Sequence, residues 1–225
     1  MTLQDFKTES PENYEQKCCC VLVLDVSGSM AGNAINELNE GLKAFYTEIQ
    51  TDSTTSNRLE VSIVTFGSEV KTLVQPNLVS NFTMPKLTAD GSTKLVDGVK
   101  QGIDITRSRK AWYKQTGQPY YRPWVILMTD GDPDEHQNVT GLSNEIKEGM
   151  KKSEFFFLAI GVQSANMQKL KDISDPSMTP AQLKGLKFSE FFKWLSASMT
   201  TVINSKEGDK VNLPNPAEWM VGFTI

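Results

Sequence analysis

The stretch CCCVLVLDVSGSM, residues 18–30, decides the fold of this chain. It opens with a continuous apolar run, Cys18–Leu24, which is typical of a strand buried on both faces of a parallel sheet. The run ends at Asp25, and a Ser-Gly-Ser turn follows directly. The stretch therefore predicts a central strand whose carboxyl end presents one carboxylate and two hydroxyls.

Apolar runs and amphipathic segments alternate along the rest of the chain. Alternation of this kind requires crossover connections and a mostly parallel sheet. The predicted fold class is α/β, a doubly wound, Rossmann-like arrangement with a mostly parallel central sheet flanked by helices. Further strands are predicted over Leu59–Phe66, Val70–Val74, Trp124–Thr129 and Phe155–Ile160, and helices around residues 35–49, 95–103, 138–150 and 191–202.

Composition excludes several classes of protein. The length of 225 residues suits one α/β domain, and a net charge of -4 argues against a nucleic-acid surface. No window of about 18 apolar residues exists, so no membrane span is expected. The segment Met1–Lys17 is polar and does not resemble a secretory signal. The basic run Arg107–Lys110 is interpreted as a solvated helix end.

Three consecutive cysteines, Cys18, Cys19 and Cys20, precede the apolar residues of the first strand. A zinc site would need separated pairs, such as C-x₂-C. We interpret the three side chains as small apolar residues of a buried strand. Free thiols without an export signal indicate a cytoplasmic protein.

The pattern divides the chain into three parts: an N-terminal extension over 1–17, the α/β domain over 18–204, and a C-terminal tail over 205–225 that packs on the domain or extends from it. The aromatic segment Trp112–Tyr121 contains Gly117 and Pro119 and is predicted to be a loop. Its aromatic side chains suit either a partner surface or packing against the sheet. Trp124 begins a strand, so core packing is the better interpretation for that residue.

Polar oxygen donors cluster where predicted strands end and helices begin. Asp25, Ser27 and Ser29 alternate after the first strand, Thr93 follows Gly-Ser before a helix, and Asp130 follows the strand that begins at Trp124. In open α/β sheets, ligands bind outside the carboxyl ends of the strands. The five side chains are therefore predicted to meet at one edge of the sheet.

Two carboxylates and three hydroxyls form a set of hard oxygen ligands. Mg²⁺ takes such donors in octahedral geometry and keeps some of its waters. Mn²⁺ and Ca²⁺ accept the same donors. With few carboxylates, the ion keeps residual positive charge, and its open position attracts an anionic group. The pattern therefore predicts a metal that bridges the chain to a partner.

Each piece also has a simpler interpretation. Ser, Thr and Asp are common helix N-caps, and Asp130-Gly131 is typical of a turn. A different alternative is a metal-dependent hydrolase, in which the acidic loop after Asp130 supplies a general base. The candidates for that base are Asp132, Asp134, Glu135 and His136.

The five-residue pattern resembles the metal-ion-dependent adhesion site of von Willebrand factor A (vWA) domains. Asp25-x-Ser27-x-Ser29, Thr93 and Asp130 fill every position of that motif, and the resemblance covers residues 18–204. It implies a non-enzymatic interaction module whose metal grips an Asp, Glu or phosphate of a protein partner. A structural domain with an unused site is the other alternative.

Finer detail is similar to the bacterial cytoplasmic branch of TerY-like proteins, which belong to tellurium-resistance and stress clusters. This resemblance implies a link to a protein kinase and phosphatase system, with neither nucleic acid nor membrane as partner. The segments that carry it are residues 22–30, 64–66, 126–131 and 191–198.

Overall fold

The computed structural model describes residues 11–205, 212–216, 218 and 220–221. Its strands are β1 (Cys18–Asp25), β2 (Leu59–Phe66), β3 (Val70–Leu78), β4 (Trp124–Thr129), β5 (Phe156–Gly161), β6 (Ala181–Leu183) and β7 (Met220–Val221). Its helices are α1 (Asn33–Thr51), α2 (Ser53–Arg58), α3 (Leu95–Thr116), α4 (Val139–Lys151), α5 (Met167–Ile173) and α6 (Phe188–Ile203). Short 3₁₀ turns occupy Gly28–Met30 and Val79–Asn81.

The described strands form one sheet in the order β3-β2-β1-β4-β5-β6-β7. β1 lies at its centre and pairs in parallel with β2 and β4. β4, β5 and β6 continue the parallel part, and the edge strands β3 and β7 run antiparallel to their neighbours. This mostly parallel sheet confirms the predicted α/β, Rossmann-like fold class.

Alternate residues of β1 enter two separate apolar cores. Cys18, Cys20, Leu22 and Leu24 pack on the face covered by α1 and α6, whereas Cys19, Val21 and Val23 pack on the face covered by α3 and α4. The three cysteines are free and have no exposed surface. Their interpretation as apolar strand residues is confirmed.

The segment after residue 106 differs from its prediction. α3 continues to Thr116, so residues 112–116 are helical and only the rest of the predicted loop is irregular. Arg107–Lys110 lies inside this helix rather than at a solvated end, and that prediction is wrong. The physical reason is an ion pair between α3 and the sheet. Arg109 pairs with Glu60 of β2 and is therefore only 5% exposed.

The ends of the chain contribute to the body. Before β1, Lys17 pairs with Tyr120 in an isolated parallel bridge. After α6, the carbonyl of Pro214 accepts a hydrogen bond from Trp194 Nε1 at 2.7 Å, and β7 pairs with β6. Residues 1–10, 206–211, 217, 219 and 222–225 of the predicted end segments lie outside the described residues. Within the described part of the chain, no helix is both long enough and apolar enough to cross a membrane.

Candidate metal centre

Two carboxylates meet at the edge of the sheet because their strands are parallel neighbours. Leu24 of β1 pairs with Met128 of β4, so both strands end at the same edge. Asp25 is the last residue of β1, and Asp130 follows the last residue of β4. The sheet register therefore brings the two residues to the same edge of the sheet.

A chain of hydrogen bonds joins four of the five predicted ligands. Oδ1 of Asp25 accepts from the backbone N–H of Ser27 at 2.8 Å. The hydroxyls of Ser27 and Ser29 are 3.0 Å apart, and Ser29 Oγ donates to Asp130 Oδ1 at 2.7 Å. These hydrogen bonds gather the four residues at the edge of the sheet.

Thr93 reaches the same place from the loop before α3. A Cβ built on Gly131 would lie 3.6 Å from Thr93 Oγ1 and 3.8 Å from Asp25 Oδ2, so the two oxygens flank this glycine. Thr93 is not the N-cap of α3, which is Lys94, and among the described residues its hydroxyl makes no hydrogen bond. The capping interpretation of Thr93 is therefore wrong.

The serines of the first loop do not cap a helix either. Ser27 precedes the 3₁₀ turn but makes no side-chain capping bond, and Gly32 is the N-cap of α1. Both serine hydroxyls instead point into the hydrogen-bond chain with Asp130. The two hydroxyl oxygens thus lie next to each other and to a carboxylate, as neighbouring ligands of one metal ion must.

Backbone hydrogen bonds tie the first loop to the second. Gly28 N–H donates to Gly91 O at 2.9 Å, and Asp90 N–H donates to Val26 O at 2.7 Å. Gly91 has φ +84°, and a Cβ there would lie 1.9 Å from Ser68 Oγ. A glycine is required at this position because a side chain has neither the conformation nor the space.

The two carboxylates are buried without a cation. Asp25 has no exposed surface and Asp130 is 7% exposed, and within the described residues neither forms a salt bridge. Burial raises the pKa of Asp25, and the nearby charge of Asp130 raises it further, against hydrogen bonds from Ser27 and Thr129. Buried charges are normally paired or bound to metal. The donor set therefore fits a divalent cation.

The match between the predicted ligands and a metal ion depends on the three hydroxyls as much as on the two carboxylates. Among the described residues, no group of three or more His, Cys, Asp or Glu side chains is placed to hold a metal. A centre with two carboxylates and three hydroxyls does not suit zinc in its usual structural sites, which use Cys and His. It suits a hard cation that keeps some waters.

Three supporting residues were not singled out as such from the sequence. Thr129 Oγ1 donates to Asp25 Oδ2. Asp134 Oδ1 accepts from the backbone N–H of Thr93 at 2.8 Å, and Gln137 Nε2 donates to Thr93 O at 2.7 Å. Their closeness to Asp130 in sequence was the only available signal, since Asp134 and Gln137 contact Thr93 about 40 residues away and Thr129 contacts Asp25, which is 104 residues away.

The acidic loop proposed for a hydrolase is engaged in other contacts. Asp134 holds the backbone of Thr93, and Asp132 pairs with Lys169 at 3.2 Å. Glu135 and His136 are exposed. The two engaged carboxylates therefore position loops, which is a different task from activating water.

A groove of about 580 Å³ opens beside the candidate centre. Val26, between the predicted ligands Asp25 and Ser27, lies in its wall. Leu73 also lines it and is 43% exposed, and β3 departs from regular pairing with β2 at this point. Such bulges redirect side chains near binding sites. The groove gives a partner a surface directly next to the five predicted ligands.

Comparison with known proteins places the site in context. The family model of the von Willebrand factor type A domain matches residues 20–191. Inter-alpha-trypsin inhibitor heavy chain H1 of Mesocricetus auratus is 26% identical over 123 residues, which are 51% of this chain and 13% of that protein. The chain thus spans a small part of this curated relative.

Solved structures share the fold at low identity. The pilus adhesin SpaC of Lactobacillus rhamnosus GG superposes with a TM-score of 0.66 at 17% identity, covering 86% of this chain and 31% of the adhesin. Proximal thread matrix protein 1 from the mussel byssus, with a zinc-occupied MIDAS motif, gives a TM-score of 0.53 at 18% identity, covering 85% and 46%.

Proposed function

The chain belongs to the von Willebrand factor type A domain family, and from that premise we propose that it is a metal-dependent protein-interaction module. The observation that carries this proposal is the pair of buried carboxylates, Asp25 and Asp130, which are linked through serine hydroxyls and have no basic side chain of the described residues as ion-pair partner. Structural neighbours that include an adhesin and a protein with a zinc-occupied MIDAS motif support an interaction role.

We propose that the metal is Mg²⁺, with Mn²⁺ or Ca²⁺ as substitutes, and that its ligands are Asp25, Ser27, Ser29, Thr93 and Asp130. The carboxylates supply charge, and the neutral hydroxyls complete the donor set without neutralising the ion further. Bound there, the metal would supply Lewis acidity toward an anionic group. Asp134 and Gln137 hold the backbone of Thr93, which keeps its hydroxyl beside Asp25.

The partner group is the side chain of Asp or Glu, or a phosphate, on another protein. Its flanking residues lie in the groove beside the centre, whose wall contains Lys71 and Lys86 as well as Glu69 and Asp90, and where Leu73 provides apolar surface. The proposed role is non-enzymatic, since binding needs no chemistry on the partner.

The cellular setting is part of the same proposal. Similarity to TerY-like proteins suggests a bacterial, cytoplasmic component of a stress or tellurium-resistance system, linked to a kinase and a phosphatase. Three free, buried cysteines in β1 agree with a reducing compartment. Neither nucleic acid nor a membrane is proposed as a partner.

Calorimetric titration of the metal-free protein with Mg²⁺, Mn²⁺ and Ca²⁺ tests the centre. We expect one-site binding that Asp130→Ala abolishes. Asp132→Ala is the matched control, because it removes an exposed carboxylate from the same loop and leaves the predicted ligands intact. Equal binding by wild type and Asp130→Ala would contradict the proposed ligand set.

A pull-down with and without chelator then tests the module. Partners that bind only with metal, and only to wild type and Asp132→Ala, would support the interaction role. Metal-dependent hydrolysis of a phosphate or peptide ester by wild type, lost in Asp130→Ala, would favour the hydrolase alternative instead.

A further inference from the structure

Three aspartates of this chain are followed directly by glycine: Asp90, Asp97 and Asp130. An Asp-Gly pair is chemically reactive, because glycine has no side chain to keep its backbone nitrogen away from the preceding carboxyl group. The nitrogen attacks that carboxyl carbon when the carboxyl group is free to rotate and the N–H has no other partner. The structure gives the three pairs different freedom to meet these conditions.

The pair of Asp97 and Gly98 is held inside α3. Gly98 N–H donates to Lys94 O at 2.9 Å, as in a regular helical turn. Gly98 is also buried against β2, since a Cβ built on it would lie 2.7 Å from Cδ1 of Phe66. The nitrogen of Gly98 therefore reaches the Asp97 carboxyl group only after this part of the helix unfolds.

Both reacting groups of the pair Asp130 and Gly131 are hydrogen-bonded. Oδ1 of Asp130 accepts from Ser29 Oγ at 2.7 Å, and Gly131 N–H donates to Thr129 Oγ1 at 3.1 Å. Asp130 is also only 7% exposed, so water has little access to it. Attack of the Gly131 nitrogen on this carboxyl group would break both bonds.

Asp90 and Gly91 form the remaining pair, in a segment without helix or strand. Both residues are exposed, and Asp90 lines the groove beside the candidate centre. Among the described residues, the Asp90 carboxylate has no hydrogen-bond or ion-pair partner, and the Gly91 N–H has no acceptor. Exposed loops are also where local opening costs the least free energy. Of the three pairs, this one has both reacting groups free and open to solvent.

The peptide bond between Asp90 and Gly91 lies between two backbone hydrogen bonds. Asp90 N–H donates to Val26 O at 2.7 Å, and Gly91 O accepts from Gly28 N–H at 2.9 Å. These bonds hold the first loop of the candidate centre, since Ser27 lies between Val26 and Gly28. The position of that loop therefore depends on the length of backbone between Asp90 N and Gly91 O.

We propose that Asp90 is a site of isoaspartate formation, and that this modification loosens the first loop. Gly91 N bonds to Cγ of Asp90, the carboxyl hydroxyl leaves with the amide proton as water, and a succinimide ring remains. Water then adds at the main-chain carbonyl carbon of Asp90 and breaks its bond to Gly91 N. No atom is gained or lost overall, but the backbone now runs through Cβ and Cγ and is one carbon longer. The bonds to Val26 O and Gly28 N–H no longer fit together.

Peptide mapping of the full chain tests the modification. The folded protein is incubated at neutral pH in water enriched in ¹⁸O and then digested in ordinary water with trypsin, which separates the three pairs into peptides 87–94, 95–100 and 115–147. Each succinimide that reopens takes up one heavy oxygen, and isoaspartate changes the retention of its peptide. We expect both signals in peptide 87–94, at least about tenfold above the other two peptides, because their pairs react only after local unfolding.

Two variants sharpen this result. Asp90→Glu keeps the negative charge but moves the carboxyl carbon one bond further from the Gly91 nitrogen, so peptide 87–94 should keep ordinary oxygen. Asp97→Glu is the matched control, because it makes the same change in α3 and should leave the label in 87–94 as in wild type. Denatured wild type should label all three peptides. Equal label in the three peptides of the folded protein, or no label in 87–94, would overturn the proposal.

Hydrogen exchange of the ¹⁵N-labelled protein tests the effect on the first loop. In the isoaspartate form, the Gly28 N–H should exchange at least about fivefold faster, as suits the loss of one hydrogen bond. Asp90→Glu incubated in the same way should keep the slow exchange. Unchanged exchange of Gly28 in the isoaspartate form would overturn the loosening of the loop. Neither measurement requires bound metal, so failure here is distinguishable from failure of the proposed metal centre.

Discussion

The buried carboxylates at the two edges of the sheet differ in their ion-pair partners. At the amino edge, Glu60 is 3% exposed and accepts hydrogen bonds from Nε and Nη2 of Arg109 and from the Tyr113 hydroxyl. At the carboxyl edge, Asp25 and Asp130 are as deeply buried, and among the described residues no cation pairs with them. At the amino edge, Arg109 of α3 provides the positive charge that pairs with the carboxylate. At the carboxyl edge, neutral hydroxyls contact the carboxylates instead.

This difference separates a structural charge from a functional one. A buried ion pair that is complete within the protein needs nothing from outside. Carboxylates that converge with neutral hydroxyls leave a place for a divalent ion. The comparison predicts that breaking the amino edge damages the fold, whereas breaking the carboxyl edge damages binding.

The largest effect is expected for Arg109→Met. It leaves Glu60 buried without its cation, so the free energy of unfolding should fall by about 3–5 kcal/mol. Urea denaturation measures the loss. Arg107→Met is the control, because Arg107 pairs with Glu145 and Glu154 at a site 38% exposed and should cost about 1 kcal/mol or less. Equal losses in both variants would remove the distinction between the edges.

Metal should stabilise the protein through the carboxyl edge. At a free Mg²⁺ concentration 100 times the Kd, the free energy of unfolding should rise by about 2.7 kcal/mol over the value in chelator. Asp130→Ala should show no such rise. In chelator it should be at least as stable as wild type, because it removes one of two neighbouring buried carboxylates. A metal-dependent rise that persists in Asp130→Ala would place the ion elsewhere.

A smaller effect is expected for Asp134, which supports Thr93 from behind. Asp134→Ala removes the acceptor of the Thr93 N–H and should weaken metal binding about 10- to 100-fold, the usual range for residues that orient ligands. Asp134→Asn keeps an acceptor oxygen and should stay within a few-fold of wild type. Calorimetry measures both. Unchanged affinity in Asp134→Ala would show that Thr93 needs no such support.

The smallest effect is expected for alkylation of the three cysteines in the folded protein. Burial, with the charge of Glu60, raises the pKa of Cys18 to about 12, and burial also raises that of Cys19 and Cys20. Folded protein at pH 8 should therefore resist iodoacetamide, and denatured protein should take up three labels. Mass spectrometry counts them. Labelling of the native chain would show that β1 is open to solvent.

The same shift gives a pH dependence with a definite sign. The thiols are acids whose pKa is higher in the folded state than the ordinary value of 9.0. Unfolded chains thus lose these protons first as pH rises. Stability should fall as pH climbs above about 9, and urea denaturation at pH 7 and pH 10 detects the change.

Strands with a continuous apolar run were predictable because their signal is local. Leu59–Phe66 and Trp124–Thr129 have the predicted bounds, and the first strand extends the prediction only by Asp25. The fold class followed from their alternation with amphipathic helices. The position of the five predicted ligands at strand ends followed from the same pattern, while their role as metal ligands stays a prediction.

Short secondary-structure elements and contacts between residues distant in sequence could not be predicted from the sequence. α5 and β6 have 7 and 3 residues, too few to establish a period. The predicted end of α3 was wrong because a charged Arg109 and an aromatic Trp112 suggested a solvated end and a loop. In the fold, Arg109 pairs with Glu60 of β2 and stacks on Trp112, so both residues are buried within the helix. No local window contains both members of such a pair.

By itself, the sequence determined a mostly parallel sheet with a buried cysteine-rich strand at its centre and oxygen donors at its carboxyl edge. These properties depend on hydrophobic period and on the direction of the strands, which neighbouring residues encode. Only the tertiary structure decided which charges are matched. Arg109 neutralises Glu60, Asp134 holds Thr93, and Asp25 lies near Asp130 with no basic partner for either among the described residues. These relations join residues that folding alone brings together.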